Sequence, residues 1–222
     1  MSQVTNLAYF YETARKVRGG KWVWVKDSNG ENRKNVLLGG TILNPNKGFG
    51  HLWAGQLVQY TPSEGCKIFR SFKAARPDDD SFEVLADGYS DIPEVGMLVM
   101  VAPNTANGTG QSAKVTKVTY LEATNSYKVE LDTELTTIAN DSIIVEAEGT
   151  AASATAKVLV PNPNTFVEAD VDLLPTEGYG IENANYSIST VHDKEAWIAR
   201  MQPLPDYVLA KNRSYIDGIF WI

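Results

Sequence analysis

The chain holds a single cysteine, Cys66, and two histidines, His51 and His192, in 222 residues. One cysteine closes no internal disulfide, and without a nearby Cys or His it supplies no zinc-ligand spacing. A reducing site of synthesis is expected. Long apolar runs are also missing: Gly96-Met97-Leu98-Val99-Met100-Val101-Ala102 falls far short of the roughly 20 residues that cross a bilayer. The first residues, Met1-Ser2-Gln3-Val4-Thr5-Asn6, lack the basic start, apolar core and small-residue cleavage site of a secretory signal. Use without export is therefore expected, which leaves the glycosylation-type patterns at Asn107, Asn140, Asn185 and Asn212 without a role.

Signatures of catalysis are equally scarce. Neither histidine lies in a nucleophile-elbow pattern, so structural hydrogen bonding is the expected role of both. Gly19-Gly20-Lys21 lacks the earlier glycine and the following Ser/Thr of a phosphate loop. Glu168, Asp170 and Asp172 share one face of an extended strand by its period of two, a pattern that suits a divalent cation or a solvated strand face. The spacing is generic and has no EF-hand glycine, so no metal, cofactor or catalytic residue is assigned. A non-enzymatic role is expected.

What the sequence does hold is a charge split. Residues 1–77 carry 12 Lys/Arg against 4 Asp/Glu, and residues 78–222 carry 8 against 23. The total of −7 conceals a segment of +8 followed by one of −15. Solubility follows the total, whereas partner choice follows the halves. The change falls at Arg76-Pro77-Asp78-Asp79-Asp80, read as a solvated linker.

The pattern along the chain divides into three parts. Residues 1–77 read as a basic, aromatic-rich docking unit: a helix over 5–18, a hairpin over 21–38 turning at Asp27-Ser28-Asn29-Gly30, and a further apolar run over 52–60. Residues 78–175 read as an acidic β-barrel or sandwich module, with strands over 82–86, 97–102, 113–121, 127–131, 143–147 and 156–160. The intervening 104–112 reads as a flexible polar loop. Residues 176–222 read as a segment with a short helix over 193–201 and an apolar terminal strand. The fold class expected is mainly β, a small antiparallel barrel or sandwich with a mixed N-terminal unit and few short helices.

Between residues 81 and 175, Ile92-Pro93-Glu94-Val95-Gly96-Met97-Leu98-Val99, the Thr/Ala/Gly loop after it, Lys114-Val115-Thr116-Lys117-Val118 and Thr165-Phe166-Val167-Glu168-Ala169-Asp170-Val171 resemble virion proteins of tailed bacteriophages. A Pro-x-x-Gly-Met start followed by a Thr/Lys/Val strand is similar to capsid decoration and head-fibre proteins. The order of the whole chain is most similar to the auxiliary capsid and head-fibre proteins of crAss-like and other Bacteroidales phages. The resemblance implies a non-enzymatic subunit, made in the bacterial host cytoplasm and bound to the capsid surface of the virion in a symmetric cluster. It supplies no catalytic residues.

On this reading Arg70, Lys73 and Arg76 contact the major capsid protein or another virion protein. Ile219, Phe220 and Trp221 lie at a subunit interface of a homo-oligomer, with a trimer favoured, because an apolar chain end calls for a cover. No membrane partner is expected, and nucleic acid is disfavoured. Two other readings stay open: a neck, tail or baseplate subunit, and a carbohydrate- or nucleic-acid-binding module using Trp22, Trp24, Trp53 or Tyr60 as stacking platforms.

Overall fold

The computed structural model describes residues 35–41, 50–52, 55–61, 65–78, 80–87, 91–149, 154–167, 171–173, 185–191, 195–196, 201–210 and 220–221. Among them the strands, in chain order, are β1 (Asn35–Thr41), β2 (Gly50–Leu52), β3 (Leu57–Thr61), β4 (Gly65–Ile68), β5 (Ser71–Lys73), β6 (Ala75–Asp78), β7 (Ser81–Leu85), β8 (Leu98–Val101) and β9 (Thr109–Gly110). They continue with β10 (Ser112–Leu121), β11 (Ser126–Leu131), β12 (Ile143–Glu148), β13 (Ala156–Val158), β14 (Thr165–Val167), β15 (Val171–Leu173), β16 (Asn185–Val191), β17 (Glu195–Ala196) and β18 (Phe220–Trp221). One 3₁₀ turn (Glu122–Thr124) and one short helix, α1 (Asp206–Leu209), are the helical elements described. The protein is mainly β, as its alternating sequence requires.

Two large antiparallel sheets carry the core. One runs in the order β1-β16-β14-β3-β4; the other runs β6-β7-β11-β10-β8-β12-β13-β9, with β5 added on β12. In the second, β9 ends at Gly110 and β10 begins at Ser112, so the path from β10 through β8, β12 and β13 returns almost to its origin. The sheet is therefore curled into a half-barrel. At Gly110 an added Cβ would lie 2.8 Å from Met100 Cε, the mobile end of a flexible side chain. The polar loop expected over 104–112 thus contains a strand: β9 pairs with β13 through Ala156↔Gly110 and Lys157↔Thr109.

Two apolar clusters follow from this curl. Phe72, Phe82, Val84, Met97, Val99, Val115, Val129 and Ile144 fill the inside of the half-barrel. Leu57, Phe69, Met100, Val145, Val158, Phe166, Tyr207 and Val208 form the layer between the sheets. Strand β12 serves both, with Ile144 in one cluster and Val145 in the other, so it reads as a continuous apolar run rather than an alternating one. Residues 201–210 close the second cluster. The hydroxyl of Tyr207 is buried there without a hydrogen-bond partner, and burial pushes its phenol well above the ordinary range. Removing an unsatisfied buried hydroxyl is favourable. Tyr207→Phe is expected to stabilise the protein by about 1 kcal/mol, read as a higher urea midpoint at unchanged slope.

Several expected features are redrawn. Strand β6 runs across the boundary expected between 77 and 78, and Asp78 pairs with Ser81, so this boundary lies within paired strands. Segments from all three expected parts share one sheet, since β14 pairs with both β3 and β16. Within the helix expected over 193–201, Glu195 and Ala196 instead form a strand parallel to Phe220 and Trp221. That pairing is nonlocal, and the local helix-start signal of His192-Asp193 carries no information about it. The helix expected over 5–18 and the first arm of the 21–38 hairpin lie outside the described residues. Its second arm, within β1, pairs with β16.

Candidate functional site

The most unusual chemistry in the described residues is a buried polar group at one end of the half-barrel. Strand β5 pairs with β12 through Phe72↔Ile144 and Ser71↔Val145. One step further along, Arg70 faces Glu146, and the Glu146 amide donates to the Arg70 carbonyl at 3.4 Å. On the other side of β12, Glu146 is opposite Val99. Both side chains are nearly inaccessible, Arg70 at 3% and Glu146 at 4% of full exposure.

The second acidic partner comes from a turn. Met97 N–H donates to the Glu94 carbonyl at 3.0 Å, and Gly96 sits at the third turn position with φ +93°, the conformation that a type II turn demands and that glycine supplies. The Pro-x-x-Gly-Met pattern thus has a local physical cause. The turn carries Glu94, whose Oε1 accepts from Arg70 Nη2 at 3.1 Å. Nothing lies within 4 Å of an added Cβ at Gly96, so the cost of Gly96→Ala is conformational alone. A loss of roughly 1–2 kcal/mol is expected by chemical denaturation.

Gln56, ahead of β3, extends the group by donating from Nε2 to Asp91 Oδ2 at 2.8 Å. The cluster therefore ties the five-stranded sheet, through Gln56 and the β4–β5 link at Arg70, to the half-barrel, through Glu146 and the 91–96 segment. Among the described residues that act on Glu146, Arg70 is the cation and Glu94 and Asp91 are the acids. Burial, opposed by Arg70 and reinforced by Glu94 and Asp91, pushes the Glu146 carboxyl up to about 7. Burial likewise raises Glu94, with Arg70 opposing. Arg70 Nε and Nη1 and Glu146 Oε2 are buried without hydrogen-bond partners. These atoms have essentially no accessible surface, so in this conformation the cluster presents no reacting group to solvent.

Of the residues expected to dock on a partner, Arg70 is buried, whereas Lys73 and Arg76 lie at the surface. Arg70 is engaged with Glu94 and buried, because its neighbours Phe69 and Phe72 belong to the two cores; it presents no charge to a partner's surface. Lys73 and Arg76 are about half exposed, at 52% and 48%, and each is ion-paired within the chain. Lys73 Nζ lies 2.8 Å from Asp141 Oδ1. Arg76, at φ +45°, donates to Glu83 and to Ser126 Oγ, and Ser126 in turn donates to Glu83. Arg76 holds the Glu83 carboxyl down to about 2, helped by Ser126 and Thr124.

Of the apolar terminus, Phe220 and Trp221 form β18, paired through Glu195↔Phe220 and Ala196↔Trp221, while Ile219 lies outside the described residues. Asp172 is in β15, in register with His51 of β2; Glu168, Asp170 and His192 lie outside the described residues. Among the described residues no group of His, Cys, Asp and Glu is arranged to hold a metal ion, and no helix is long and apolar enough to cross a membrane. The buried cluster itself was not foreseen. Its signal is a single charge in an apolar run, Glu146 in Ile143-Ile144-Val145-Glu146-Ala147 and Arg70 in Ile68-Phe69-Arg70-Ser71-Phe72. No protein-family model matches the chain, and no curated protein or solved structure matches it.

Proposed function

We propose that the chain is a non-enzymatic structural subunit of a tailed-phage virion, attached to the capsid as an auxiliary, decoration or head-fibre protein. The observation that carries this reading is the distribution of charge over the fold. In the β body, Arg70, Lys73 and Arg76 are each engaged by an acid of the same chain. The sequence before β1 carries seven Lys/Arg against three Asp/Glu. Docking on an acidic shell therefore falls to Arg15, Lys16, Arg18 and their neighbours rather than to Arg70. Complementary charge there would speed encounter and fix register. The β body would face solvent or neighbouring copies in a homo-oligomer.

The test is occupancy on purified heads, followed by cryo-electron microscopy and by salt-dependent release. Density over the outer shell, weakened when Arg15, Lys16 and Arg18 are changed to Glu, is the expected result. Density confined to one vertex would replace the capsid reading with a neck or tail one. Absence of the chain from virions by mass spectrometry would end both.

A further inference from the structure

We propose that Glu146 and Arg70 form a proton-operated latch that controls the 91–96 segment at the end of the half-barrel. With Glu146 protonated, Arg70 spends its Nη2 on Glu94 and holds the type II turn in place. Loss of the proton to solvent leaves a carboxylate on the residue bonded through its backbone to Arg70, whose Nε and Nη1 are unused. Glu146 then takes the guanidinium, and Glu94 and Asp91, now repelled by a second buried anion, move outward.

The geometry supplies each requirement. Glu146 and Arg70 face each other across β12 and the β4–β5 link, and both carry buried polar atoms without partners. Glu94 is half-buried, at 33% for its side chain, and neighbouring Val95 is exposed, so the turn has solvent to move into. Among the described residues, the charged groups acting on Glu146 are Arg70 from the β4–β5 link and Glu94 and Asp91 from the segment ahead of β8. The facing residue on β8, Val99, is apolar. Desolvation of a carboxyl this deeply buried favours retention of its proton.

The direction with pH follows. The Glu146 carboxyl is raised from 4.5 to about 7 on folding, so its contribution to stability is complete below about 4.5 and is lost as pH rises through about 7. The folding equilibrium should fall on the order of 10²-fold over that interval, and Glu146→Gln should remove that dependence. Hydrogen exchange reports the latch itself. Above pH 7 the amides of Gly96 and Met97, bonded to Val115 and Glu94, should exchange faster in the parent chain than in Glu146→Gln, with intrinsic rates divided out. Identical pH profiles in the two proteins would overturn the proposal. Should Glu146→Gln not fold, infrared spectroscopy of the unaltered chain decides. A buried protonated carboxyl band that disappears between pH 6 and 8 supports the latch, and a carboxyl already ionised at pH 5.5 refutes it.

Discussion

Replacing Arg70 with methionine is expected to cost about 3–5 kcal/mol of stability at pH 8, the range found when one member of a buried ionic group is removed and its partners stay buried. Methionine approximates the stem of arginine, so the lost packing is small and the loss is electrostatic. Without the guanidinium, Glu94, Asp91 and Glu146 confront one another with no cation among the groups that act on Glu146. At pH 5 the cost should be visibly smaller, because Glu146 titrates near 7 and is neutral there. Urea denaturation of the variant at both values is the measurement. A loss under about 1 kcal/mol at each would show that Arg70 is not needed to hold the carboxylates. The double change Arg70→Met, Glu146→Met should recover much of the loss, since an apolar pair of similar volume is tolerated where a broken ion pair is not. A practical consequence concerns docking: Arg70→Glu would add another carboxylate to a buried acidic group, so reduced attachment by that variant would report misfolding. Lys73→Glu and Arg76→Glu each replace an exposed cation and test a surface contribution more cleanly.

Phe166→Ala is expected to be of similar size, about 3–5 kcal/mol, for a different reason. Phe166 is completely buried on β14, between β3 and β16, in the cluster that also contains Phe69, Val145 and Tyr207. Removing the ring deletes its transfer energy and leaves a void that the surrounding strands fill only partly. For a chain of this size the melting temperature should fall by roughly 6–20 °C. Because β12 belongs to both cores, a single cooperative transition is expected. Two separated transitions would mean that the half-barrel survives without the layer between the sheets. Little change in the melting temperature would contradict the burial of Phe166.

The β character of the acidic region and the positions of most of its strands are legible in the residue pattern. Alternation over Ala113–Thr116, ahead of the register shift between Val115 and Lys117, and the apolar runs at Leu98–Val101 and Ile143–Glu148 are local signals of strand. The glycine of the 93–97 turn is local in the same sense, because its positive φ disfavours other residues wherever the turn sits. Strand order, burial of charge and the fate of ambiguous segments required the tertiary structure. Nothing near Glu195 announces its strand partner Phe220. Arg70 looks like a docking residue beside Lys73 and Arg76 until pairing of β5 with β12 turns it toward Glu146. The charge change at 77–78 is real in composition, yet it falls within one hairpin, because hydrogen bonding between strands depends on backbone register and not on the sign of the side chains outside it. Periodicity is written residue by residue, whereas pairing and desolvation arise from contacts between residues far apart in the chain.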